Sequence, residues 1–254
     1  MSRWLALGLG LSSAGCGYFS GASDLEIVDS PELAEQWACL GQGAPLLDTE
    51  PIRFSAPVRN LATNRLVETV SARLCEGEPC NAPLAEVEGT DGVLTFPPIE
   101  PEFRGYIEIE SPGMLPAVVE LLRPIGAMRR LPELRVLAAA ALKTYASSLG
   151  KSVDEGLGQA LFWAEDCAGD PAPGVAVEAV DGVLENTKNY YVVDFELPTD
   201  AIDRTQKSGG GGFINLSPGF PRFEAHLAEG GSRISSFAAR VRPGTVTFFV
   251  VEPE

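Results

Sequence analysis

The chain has little of what most catalytic and metal centres are made from. Its 254 residues include one histidine, His226. A structural zinc site wants four ligands arranged in close pairs, and scattered cysteines with a lone histidine do not supply them. Calcium loops need acidic ligands at alternating positions, which Asp91-Gly92, Asp181-Gly182 and Asp200 lack. Ser217 has no Gly-x-Ser-x-Gly elbow around it. His226 sits in an alternating stretch beside Phe223, Ala225 and Leu227 and reads as an ordinary strand side chain. The expectation is a protein without catalytic residues, metal or cofactor.

Positive charge is scarce as well. Nineteen basic residues against 35 acidic ones leave a net charge of −16. Phosphate binding depends on clustered Lys and Arg, so nucleic acid is not an expected partner. Lysine is absent between residues 51 and 124, and beyond residue 156 only Lys188 and Lys207 occur. That excludes the isopeptide cross-link by which some bacterial surface sandwiches join a first-strand Lys to a last-strand Asn.

What the chain does have begins at its first residue. In MSRWLALGLGLSSAGC, Arg3 forms a short positive region, Trp4 to Leu11 an apolar one, and Ser13-Ala14-Gly15 a small-residue approach to Cys16. This reads as a secretion signal, too short to span a bilayer. Small residues ending in Gly-Cys resemble the bacterial lipobox, although Ser13 stands where Leu is usual. The resemblance implies acylation of Cys16 and anchoring in a lipid bilayer, in the bacterial cell envelope and at its outer membrane. Residues 17–48 read as a tether with one helical suggestion at Ser30 to Trp37. Trp37 and Cys39 suggest that its far end docks, since a free linker uses neither.

The rest is punctuated by 27 Gly and 20 Pro that fall between short apolar runs, as many-turned β folds require. A turn-and-strand unit occurs twice, as TDGVLTFPP from Thr90 and as TQKSGGGGFINLSPG from Thr205. Each copy leads to a closing strand, AVVELLRP ending at Pro124 and TVTFFVVEP ending at Pro253. Residues 49–125 contain five strand patterns and residues 156–254 contain seven, each set the size of one sandwich. Between them, in a linker over 126–155, Leu134, Leu137, Ala141, Tyr145 and Leu149 fall on one helical face, predicting a helix over 132–149 with Gly150 past its end. Gly209 to Gly212 reads as a mobile loop. The expected fold is all-β: two consecutive antiparallel β-sandwich modules joined by one α-helix, preceded by a signal peptide and tether.

Thr90-Asp91-Gly92 followed by an apolar strand and Phe103-Arg104-Gly105-Tyr106-Ile107 resembles the carboxypeptidase regulatory-like (transthyretin-like) domains. Glu165-Asp166-Cys167-Ala168-Gly169, Gly174-Val175, Gly212 to Leu216 and Val241-Arg242-Pro243-Gly244 resemble the partner module of predicted myxobacterial lipoproteins. The resemblance covers roughly residues 50–254 and implies a non-catalytic accessory fold. One histidine cannot serve the catalytic members of that architecture, whose ring-cleaving dioxygenases hold iron with two His and two Tyr.

With Cys16 acylated, Cys39, Cys75, Cys80 and Cys167 remain, an even number that allows three pairings. Proximity in sequence favours Cys75–Cys80, leaving Cys39 to reach Cys167 and clasp the helix between two modules. Three functions remain in contention. The first is a membrane-anchored structural or adhesive protein that binds an envelope protein. The second is a glycan-binding module using Trp163, Tyr190, Tyr191, Phe195, Phe248 and Phe249 as stacking faces. The third is an enzyme of unrecognised type, for which a cleft with perturbed carboxylates would speak.

Overall fold

A computed structural model describes residues 35–43, 45–193, 198–228 and 231–254. The signal peptide, Cys16, Phe195 and most of the tether lie outside the described residues. Within them the protein is all-β with one α-helix. A first set of strands comprises β1 (Ser55–Asn60), β2 (Thr69–Cys75), β3 (Ala85–Thr90), β4 (Val93–Thr95), β5 (Gly105–Glu110), β6 (Ala117–Leu121) and β7 (Leu134–Val136). After the helix α1 (Ala139–Ser148) come β8 (Gly158–Ala164), β9 (Val175–Ala179), β10 (Lys188–Val192), β11 (Pro198–Thr199), β12 (Gly210–Leu216), β13 (Arg222–Leu227), β14 (Arg233–Ala238) and β15 (Val246–Val251).

These strands do not close into two separate pairs of sheets. Nine of them form one sheet in the order β11-β10-β12-β8-β15-β6-β5-β2-β3. Its centre is the last strand of the chain, which pairs in parallel with β6 on one side and β8 on the other. A parallel strand buried on both faces reads as a continuous apolar run rather than an alternation, and VTFFVV is such a run. The two closing strands of the sequence are therefore side-by-side neighbours that join the two halves. Two smaller sheets cover the large one. The sheet β4-β1-β7 and α1 bury Leu161, Ile214, Val246 and Phe248 of its first face, together with the inner residues of β2, β5 and β6. The sheet β14-β13-β9 buries Phe162, Phe213, Phe249 and Val251 of the opposite face. Leu161 and Phe162, like Phe248 and Phe249, thus feed different cores from adjacent positions, as a period of two dictates. Each such aromatic side chain contributes roughly 1.5–3 kcal/mol on burial.

Three local expectations change. The helix starts at Ala139 rather than Pro132, because Leu134–Val136 is held in extended form by parallel pairing with Val58 to Asn60 of β1. Its C-terminus does follow the expected pattern: Gly150 has φ +67°, its N–H bonds Ser147 O, and the N–H of Lys151 bonds Ala146 O at 2.9 Å, the Schellman arrangement. Gly210 to Gly212 are not a loop but a buried stretch of β12 in the middle of the large sheet. A Cβ on Gly211 would lie 2.4 Å from the Phe162 ring, and one on Gly212 would lie 2.5 Å from both Ala160 O and the Tyr190 hydroxyl. Glycine is there for close approach. Finally, the two copies of the turn-and-strand unit do different work. Asp91 and Gly92, with φ +60° and +74°, turn β3 into β4 of a covering sheet, whereas the second copy supplies a central strand.

Candidate functional site

The cysteines fasten the chain at two places. Cys39 is bonded to Cys167 and Cys75 to Cys80. Trp37 is buried in the second core, Cys167 N–H donates to Gln36 O, and Gly41 N–H donates to Glu254 O. The tether's end is thus strapped to the second half beside the C-terminus, and the chain then reaches the first half where Leu47 and Asp48 N–H bond Gly126 O. The helix is not clasped by this bond; α1 lies on the first face of the large sheet, with Leu142 and Ala146 in the first core.

Strand registers locate the opposite end. Gly158, Val246 and Leu216 lie at one end of the second half, and Ala164, Val251 and Gly210 at the other, next to the strap. Away from the strap gather Asp91-Gly92, Pro112-Gly113, Gly182 against Ser217, and Gly244 against Leu157. This distal rim carries Val93, Val183 and Phe220, at 41%, 54% and 55% exposure, with Leu66 and Leu184 also exposed. A groove of about 620 Å³ opens there between Thr69, Ser71, Glu88, Ser111, Pro112 and Met114.

Where the halves meet on the outer face of the large sheet, six charges interlock. Arg240 and Arg242 reach from the β14–β15 connection to Glu78, Glu108 and Glu120 of the first half, and Arg73 also pairs with Glu108. Glu120 Oε1 accepts from both the Arg240 backbone N–H at 2.9 Å and its Nη1 at 2.6 Å. Arg242 grips Glu78 bidentately, at 3.1 and 2.9 Å, and the Arg240 guanidinium lies 3.5 Å from the centre of the Tyr106 ring. Burial pushes the Glu120 carboxyl up while Arg240 opposes it. Burial raises Glu78 too, but hydrogen bonding and charge from Arg242 and Arg240 outweigh it and leave this carboxyl below its usual range. Charge-assisted, bidentate pairs of this kind are among the strong polar contacts. This network was not foreseen, although a lone Glu in AVVELL and the alternation Arg240-Val241-Arg242 were visible signs of it.

A second feature is a cleft of about 240 Å³ between residues 130–135 and the ends of β8 and β15, lined by Trp163, Glu165, Arg130, Arg135, Ser208 and Phe248. Arg135 lies over the Trp163 ring at 5.0 Å, and Phe248 stacks on it at 6.0 Å. Tyr190, Tyr191, Phe248 and Phe249 are core residues. The aromatic residues considered for glycan stacking therefore leave no uncovered ring among the described residues. Glu165 is pushed up to about 7, first by burial and then by Glu252, with Asp166 and Asp170 adding to it. Because its folded value exceeds the ordinary 4.5, stability from this group is present below that value and lost as pH rises through 7. Glu165→Gln should flatten that slope between pH 4.5 and 7; urea midpoints across this range check it, and an unchanged slope in the variant refutes the assignment.

Elsewhere, His226 lies near the strap end of β13, with Nε2 3.4 Å from Glu224 Oε2, while Ser217 lies at the distal rim beside Gly182. They do not meet. Cys75, Cys80 and Glu108 converge, but both sulfurs are committed to their disulfide.

No protein-family model matches the chain, and no curated protein does. Among solved structures it is similar to the Bacillus anthracis TIE protein, with 12% identity over 80% of this chain and 34% of that one and a TM-score of 0.25. It is also similar to a streptococcal ancillary pilin, with 10% identity over 79% and 68% of the two chains and a TM-score of 0.24. The chain spans about a third of the first of these. Likeness at this level carries no argument about function.

Proposed function

We propose that this protein is a non-catalytic, lipid-anchored envelope protein that presents its distal rim to a partner protein. The observation that carries the reading is polarity: the tether and the C-terminus are fastened at one end, and the exposed apolar turns and the groove lie at the other. Two disulfides support an oxidising, extracytoplasmic compartment. Acylated Cys16, joined through about twenty tether residues, would leave the strapped end facing the bilayer and the rim facing away. Several acyl chains make such an anchor stable, since each buried methylene contributes ~0.8 kcal/mol and one chain alone is marginal. The carboxypeptidase regulatory-like resemblance of the first half belongs to this proposal, as an accessory fold. Metabolic labelling with a palmitate analogue should mark the wild-type protein and leave Cys16→Ala unmarked. Label retained in Cys16→Ala would overturn the anchor.

A further inference from the structure

The Cys75–Cys80 bond closes a short loop at the end of β2, and Glu78 carries that loop's ion pairs to the rest of the described residues. Tyr106 donates its hydroxyl to Gly77 O at 3.1 Å and receives Arg242 Nη2 at 3.2 Å, so the loop, the ring and the guanidinium form one unit. Cys75 is fully buried beside Tyr106 and Val118, and Cys80 is partly exposed. Cys80 is therefore the less buried of the two residues. The loop delivers Glu78 to both Arg240 and Arg242, which sit on the connection between β14 and the central strand β15. By contrast, Cys39–Cys167 joins the end of the tether to the second half.

We propose that the Cys75–Cys80 disulfide is a redox latch, which while closed presents Glu78 to Arg240 and Arg242 and pins the β14–β15 connection to the outer sheet face of the first half. The reductant is a dithiol. Its thiolate attacks Cys80 Sγ, the sulfur–sulfur bond breaks with its electron pair leaving on Cys75 Sγ, and that thiolate takes a proton. The second thiolate of the reductant then attacks the mixed disulfide, releasing Cys80 as a thiol and leaving the reductant oxidised, so two electrons and two protons pass to the protein. Without its cross-link the loop regains the entropy that a short ring had lost, and Glu78 no longer arrives preorganised. Of their carboxylate partners, Arg242 then keeps Glu108 and Arg240 keeps Glu120.

Hydrogen exchange on the full chain tests the latch. Conditions that reduce Cys75–Cys80, verified by peptide mapping, should raise exchange about tenfold or more at residues 239–245, with β9 and β13 unchanged. The Cys75→Ser/Cys80→Ser double variant should behave alike without reductant. Glu78→Gln, with both disulfides intact, should loosen 239–245 in the same way. Unchanged exchange at 239–245 in the reduced protein overturns the proposal. So does equal loosening of every strand, which would make the bond a general staple. The lipid anchor plays no part in this test, so the two proposals stand or fall separately.

Discussion

Arg240→Met is expected to lower the stability of the folded chain by about 3–5 kcal/mol, the usual cost of removing one partner from a buried ion pair. Glu120 is buried, and Arg240 supplies both of its hydrogen bonds, one from side chain and one from backbone. Methionine keeps much of the packing over Tyr106 and removes the charge, with its Nη1 hydrogen bond to Glu120 and its pairing with Glu78. The deficit should depend on pH in a definite direction. Burial already raises the Glu120 carboxyl, and losing Arg240 raises it further. A group with a raised folded value contributes stability below its unfolded value and loses it as pH rises. The variant should therefore be hurt more at pH 8 than at pH 5. Adding Glu120→Gln should recover most of the loss, since the penalty comes from leaving a charge unpaired and the amide oxygen still accepts from the backbone N–H of residue 240. Urea unfolding of the two variants at both pH values measures all of this. A loss below about 1 kcal/mol would mean that water reaches Glu120.

Gly212→Val is expected to destabilise by about 3 kcal/mol, at the upper end for overpacking. The site pairs with Leu161 of β8 on one side and Tyr190 of β10 on the other. One of the two nearest obstacles to a Cβ is backbone, Ala160 O at 2.5 Å, which cannot swing aside as a side-chain tip could. By comparison, Gly113 has nothing within 4 Å of the same position, and its only constraint is a positive φ.

The strand patterns of the second half were legible because apolar alternation and Pro or Gly punctuation report strands directly. Asp91-Gly92 was legible for the same reason, since a two-residue turn with both φ values positive is what that dipeptide favours. β7 was not, because Leu134, Leu137 and Leu149 satisfy a helical spacing while the first of them is held by a strand pairing from residue 58, which no local pattern carries. Gly210 to Gly212 misled in the opposite way: backbone freedom suggests a loop, and only the facing Phe162 and Tyr190 show why side chains are excluded. The parallel partnership of β15 with β6 and β8 joins residues more than 80 positions apart, and pairing at that separation leaves no signature in a single sequence. For the cysteines, count narrowed the pairings to three and proximity favoured the observed set, while the Arg240–Glu120 contact needed the fold.

The central claim is that one nine-stranded sheet, with β15 at its middle, makes the two halves a single cooperative body. Scanning calorimetry of the disulfide-intact wild type and of Gly212→Val tests it directly. The expected result is one transition in each protein, with equal calorimetric and van't Hoff enthalpies, displaced as a whole to lower temperature in the variant. Two resolved transitions, of which only the one belonging to the second half moves in Gly212→Val, would contradict it.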